Sequence, residues 1–133
     1  MNKLNKKFEY AQKALKTIEE TIKNAEEADP KFKLNMQNSL RKRFEYSMDC
    51  IWKYLKFFLE LKHGVIQKSP KSVLGEALRV SILSKGEVEL ALDMVDDRNE
   101  TSHVYNEEKA TEISQEILKY YEFMSNILKK TNP

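Results

Sequence analysis

Glycine and proline are scarce: three of each in 133 residues, well under the ordinary combined share of about 12%. Sheets and long loops consume those residues, so their scarcity points to long helices joined by few turns. The single cysteine excludes an internal disulfide. The two histidines lie too far apart in sequence, with no second cysteine, to form a zinc-site spacing. There is no long apolar run either. The most apolar stretch, Ile51 to Leu61, is interrupted by Lys53, Lys56 and Glu60 and cannot span a bilayer. The first eight residues carry lysines with no apolar segment behind them, so a secretory leader is not expected. Net charge is also nearly absent. Twenty-three lysines and arginines against 21 acids leave +2, too balanced to announce a nucleic-acid or anionic-membrane protein.

What is present is patterned. A hydrophobic fraction of 41% supports a folded core despite the 33% charged residues, and the length suits one domain over residues 1–133. Apolar residues recur at Leu4, Phe8, Ala11, Leu15, Ile18, Ile22 and Ala25, steps of three and four that place one stripe on one helix face. Asp29-Pro30 ends that pattern and opens a second helix, a capping aspartate followed by proline at the first helical position. That helix carries Leu40, Phe44, Met48, Ile51, Leu55 and Phe58 on one face. A flanking row of Cys50, Tyr54, Phe57 and Leu61, with Trp52 nearby, makes it apolar over much of its circumference, as a central helix or one that meets a partner would be. His63-Gly64 reads as its end.

Ser69-Pro70 repeats the cap-then-proline start for a shorter helix with Val73, Leu74, Ala77, Leu78 and Ile82 inward. Ser84 and Glu87 have the spacing of a capping box for a fourth helix, which turns Val88, Ala91, Leu92 and Val95 inward and runs to about Arg98. Asn106 followed by two glutamates begins a fifth, with Ala110, Ile113, Ile117, Tyr120, Met124 and Ile127 as its stripe and only the last few residues frayed. Four long helices and one short one with brief connections predict an all-α, antiparallel up-and-down bundle.

Chemistry concentrates in the segment read as the connection between the last two long helices, Asp96 to Asn106. Arg98 and His103 can converge there on one small anion. The guanidinium offers a fixed fork of donors matched to phosphate oxygens, and the imidazole exchanges a proton near neutral pH. Such a pair suits metal-free phosphodiester cleavage, the imidazole activating a ribose 2′-hydroxyl and the guanidinium stabilising the phosphorane. One imidazole cannot be base and acid in the same step, so this reading requires a symmetric dimer that brings two such segments to one cleft. The competing reading is structural: Arg98 paired with Asp97 or a neighbouring helix, and His103 bonded to a carbonyl.

Glu60-Leu-Lys-His63 and Glu100-Thr-Ser-His103 both have the Glu-x-x-His form of di-iron bundles, but one abuts a helix end and the other falls in the expected loop. Cys50 sits on an apolar row and reads as a core thiol. Arg41-Lys42-Arg43 reads as a solvated face, and Glu45, Trp52, Tyr46 and Tyr54 as packing or interface groups. No glycine-rich phosphate loop exists.

Arg98-Asn99-x-x-x-His103, with Tyr105 two places on, resembles the signature of HEPN domains. Arg43-Phe44-Glu45-Tyr46 with Trp52-Lys53, Ser69-Pro70-Lys71, and the run from Asp97 to Glu108 resemble the branch of nucleotidyltransferase substrate-binding proteins close to the HepT toxins. The resemblance covers nearly the whole chain. It implies a bundle that dimerises with its arginine–histidine segments at a shared cleft, and a minimal nucleotidyltransferase as partner. One implied function is a non-catalytic, substrate-binding subunit of a split enzyme. The other is a metal-independent ribonuclease toxin that its partner silences, in some members by attaching AMP to the tyrosine matching Tyr105. On either reading Arg98, His103 and Asn99 are the candidate catalytic or cleft residues and Tyr105 the candidate modification site. A homodimer or hetero-oligomer in the cytoplasm is expected, with RNA as a conceivable ligand and with no membrane, metal or cofactor. The near-neutral charge argues against strong general RNA binding, which rests on many phosphate contacts.

Overall fold

The computed structural model describes residues 2–27, 29–100 and 107–133, without the side chains of 2, 25–27, 33, 34, 107, 109 and 110. Within them lie five α-helices: α1 (Asn2–Glu27), α2 (Lys33–His63), α3 (Pro70–Arg79), α4 (Lys85–Glu100) and α5 (Glu107–Lys130), with no strand among the described residues.

Most of the expected punctuation acts as its chemistry dictates. Gly64 closes α2 with φ +67°, a left-handed conformation that costs an L side chain about 1–2 kcal/mol. Its amide donates to Glu60 O and that of Val65 to Leu59 O, each at 3.2 Å, which satisfies carbonyls that the helix end would leave bare. The Ser69 hydroxyl accepts from the Ser72 amide, and the Ser72 hydroxyl accepts from the Ser69 amide, a reciprocal box ahead of α3. At the start of α4 the Ser84 amide donates to Glu87 Oε1 at 2.9 Å. Asp29-Pro30 departs from expectation. Asp29 organises a 3-10 turn, Pro30–Phe32, accepting from the Lys31 amide on its side chain and from the Phe32 amide on its carbonyl; the α-helix proper begins at Lys33. Nor is the C-terminal turn frayed as a whole: Thr131 is buried, and its carbonyl accepts from the Tyr54 hydroxyl.

Pairs between helices fix the topology. Phe8 meets Tyr54, and Lys7 lies over Phe57, so α1 runs against α2. Gln37 reaches Thr111, Phe44 stacks on Tyr120 and Tyr54 reaches Thr131, so α2 and α5 run side by side in the same direction. Glu87 pairs with Lys130 and Asp97 with Tyr120, so α4 opposes α5. The four long helices therefore alternate up and down, and α3 lies within the crossover from α2 to α4. Buried residues of all five helices form the core, with Phe44, Met48, Ile51, Tyr54 and Leu55 of α2 among its largest fully buried side chains. Each fully buried aliphatic or aromatic residue contributes roughly 1.5–3 kcal/mol through water exclusion.

Assignments on α2 and α4 change. On α2, Leu59 is buried where Phe58 is only partly so, and Leu61 is 47% exposed. On α4, Met94 is fully buried and Leu92 turns outward. Apolar residues occupy Val88, Leu90, Ala91, Leu92, Met94 and Val95, an arc of about 200° that is wider than a single stripe, so periodicity alone could not choose the inner part of the face. Met94→Ala should accordingly cost about 2–5 kcal/mol in urea unfolding followed by circular dichroism, and Leu92→Ala less than about 1 kcal/mol.

Glu87 gives the fold a pH dependence. The hydrogen bond from the Ser84 amide, with help from Lys130, holds its carboxyl below the ordinary 4.5 against the opposing effect of partial burial. A depressed folded pKa contributes stability above the ordinary value and loses it as pH falls through the folded one. Glu87→Gln should lower stability by about 0.5–1 kcal/mol at pH 7. That gap should close below about pH 4.5, measured as the difference between wild-type and variant melting curves.

Candidate functional site

The fourth helix, expected to run to about Arg98, continues to Glu100, so Asp96 to Glu100, read also as the start of the connection, form the end of α4. The stretch is wholly polar and so shows no apolar period, but it also lacks glycine and proline, and nothing stops the helix. Successive helical residues point about 100° apart, and three of these reach three different helices. Asp96 meets Lys71 of α3 at 2.9 Å. Asp97 Oδ2 accepts from the Tyr120 hydroxyl of α5 at 2.5 Å. Arg98 grips Asp49 of α2 with two parallel bonds, Nε to Oδ1 at 3.2 Å and Nη2 to Oδ2 at 3.1 Å.

These contacts differ in weight. Lys71 and Asp96 are both more than half exposed, and such pairs contribute little. Tyr120 is buried against the Phe44 ring, and burial together with its bond to Asp97 pushes the phenol pKa far up, so it remains a hydrogen-bond donor. The fork-on-fork geometry of Arg98 with Asp49 is the strong form of a guanidinium–carboxylate bond. It raises the arginine pKa further, with Glu45 adding to the negative field, so Arg98 is cationic at every relevant pH. Of the structural alternatives, Arg98 takes the neighbouring helix and not Asp97, which is engaged by Tyr120.

Asn99 is exposed on the turn after Arg98. His103 and Tyr105, with the rest of 101–106, lie outside the described residues, as does the Asn106 cap. Asp49 is the site residue that sequence reasoning missed. It lies 49 positions from Arg98 on a different helix, and an acid on a polar helix strip carries no signal of its partner.

The secondary candidates sort clearly. Tyr54 is a core residue, fully buried against Phe8. Cys50 is half-buried, and burial pushes its thiol up, away from the thiolate that a nucleophile needs, with a Tyr46 hydrogen bond only partly opposing. Tyr46 itself is 58% exposed. Arg41 folds back onto Asn38, while Lys42 and Arg43 are exposed. Glu60 and His63 lie exposed at the end of α2, where the His63 ring approaches Phe58. No group of three or more potential metal-ligating side chains gathers among the described residues, and no described helix is long and apolar enough to cross a membrane.

Two solved structures share this fold. A protein of Thermus thermophilus superposes with a TM-score of 0.82 at 36% identity, covering 92% of this chain and 99% of its own. HI0074 of Haemophilus influenzae, whose structure is described as revealing the fold of a substrate-binding domain of a nucleotidyltransferase, superposes with a TM-score of 0.81 at 20% identity, covering 95% and 99%. No curated protein matches the chain. The family model described as nucleotidyltransferase substrate binding protein like matches residues 6–133, so the chain, over nearly its whole length, belongs to that family.

Proposed function

We propose that this chain is the non-catalytic, substrate-binding subunit of a split nucleotidyltransferase, and that it works as a homodimer whose α4 ends line a shared cleft. The family description supports the pairing. The observation that carries the non-catalytic part is the state of Arg98: Asp49 occupies two of its donors, and Glu45 adds to the negative field. The carboxylate turns that fork of donors away from a phosphate and lowers the positive field that a phosphorane would meet. In the binding reading the same bond is useful as it stands. It fixes the last turn of α4 against α2 and so holds Asn99 in place at the helix end.

The nuclease reading asks the opposite of Asp49, and this makes the two separable. The purified dimer, its intact mass recorded first to detect an adenylyl group on Tyr105, is incubated with RNA in chelator, and separately with a minimal nucleotidyltransferase during light-scattering chromatography. The binding reading expects a stable complex and no cleavage. It expects Arg98→Ala and His103→Ala to keep the complex while raising the KM for the acceptor substrate by about tenfold, a loss of roughly 1.4 kcal/mol of binding. Asp49→Asn should weaken the fold by about 0.5–1 kcal/mol through loss of the charge-assisted pair without creating activity. Cleavage by the unmodified wild type that disappears in both Ala variants and rises in Asp49→Asn would make the chain a ribonuclease instead.

A further inference from the structure

The strongest unassigned feature lies on the other side of the Asp49 turn, in the groove between the N-terminal turns of α1 and the C-terminal half of α2. Lys3, Lys7, Trp52, Lys53, Lys56, Phe57 and Glu60 line about 450 Å³ of space there, within the size range of small-molecule sites. Its charge is out of proportion to the protein. Four lysines against one glutamate leave +3 in this one groove, whereas the whole chain carries +2. None of the four lysines forms an ion pair among the described residues. Lys3 and Lys7 instead hold their ammonium groups over the ring of Phe57, 5.2 and 5.7 Å from its centroid.

Two ammonium groups gathered on one aromatic ring repel each other, and the ring quadrupole offsets only part of that cost. Lys53 and Lys56 add to the same field from the facing helix. An anion is what the arrangement lacks. The partly buried ring of Trp52 supplies the second half of a recognition surface, since a flat apolar face beside focused positive charge suits a ligand with a planar ring and several negative charges. Lysine is the right cation for this, a mobile point charge that meets phosphate without a fixed fork.

We propose that this groove binds a nucleoside polyphosphate, the base against Trp52 and the phosphates among Lys3, Lys7, Lys53 and Lys56. The assignment uses no residue of the 97–108 segment and does not depend on what that segment does.

Trp52 is the chain's only tryptophan, so its emission reports the groove in the unlabelled, full-length protein. The titrants are ATP, tripolyphosphate and a short single-stranded RNA with no terminal triphosphate, at about 0.15 M salt. ATP should quench the emission saturably. Tripolyphosphate, with charge but no ring, should bind about tenfold more weakly or less well still. Lys3→Glu/Lys7→Glu and Lys53→Glu/Lys56→Glu, each confirmed folded by circular dichroism, should each weaken ATP by about tenfold or more. The proposal is overturned by no saturable response to ATP, by equal binding of tripolyphosphate, by undiminished affinity in both paired variants, or by RNA binding where ATP does not. Emission that follows protein concentration instead of ligand would overturn it too, and would assign the face to a second copy of the chain.

Discussion

The polar end of α4 is constrained by the roughly 100° that a helix turns with each residue. That advance lets Asp96, Asp97 and Arg98 face α3, α5 and α2 in turn, so three adjacent side chains tie one helix end to every helix around it. The tie to α5 is inseparable from the core, because Tyr120 stacks on Phe44 while donating to Asp97. The tie to α2 is bidentate and fixes orientation as well as distance. Together they turn a stretch with no apolar residue into a rigid platform, and the 101–106 segment starts from it.

Helix α2 makes that platform possible. Its inner side supplies much of the core and lies alongside α5 in the same direction, an arrangement that places Asp49 one turn beyond Phe44 and within reach of Arg98. Its outer side keeps charged residues among the apolar ones. A bundle whose central helix were apolar all round would have had no acid to offer there, and the end of α4 would have been held only by the exposed Lys71–Asp96 pair, which contributes little.

Much of this was legible in the sequence, for a physical reason. Helices α1, α2 and α5 run for 26, 31 and 24 residues, long enough for a 3.6-residue period to declare itself, and their ends carry residues whose side chains or backbone freedom do specific jobs, as Gly64 and Ser69 do. Legibility fails where those signals are weak. In α4 the apolar arc spans about 200°, wider than one stripe, so Leu92 and Met94 exchange roles. Polar residues after Val95 have no period, so periodicity alone reads the end of a helix as a loop. The Arg98–Asp49 bond and the lysine groove are hidden for a third reason: each joins residues that are ordinary on their own helices and meet only after docking. Lys3 with Lys7, and Lys53 with Lys56, lie on separate helices; antiparallel pairing of α1 with α2 makes them one site.

The outer strip of α2 also sorts charge along its length. Glu45 and Asp49 come first, then Lys53 and Lys56. The acidic part lies where Arg98 arrives and is largely neutralised by it; the basic part faces Lys3 and Lys7 of α1, which add to its charge instead of cancelling it. One helix face thus holds a satisfied ion pair and, a turn further on, an unsatisfied cationic groove. A diffusing anion follows the net field, not the nearest arginine. It is therefore drawn to the lysines rather than to Arg98, whose charge Asp49 already answers. The two regions divide the work on physical grounds: the α4 end is suited to holding a shape, and the α1–α2 groove to holding a charge.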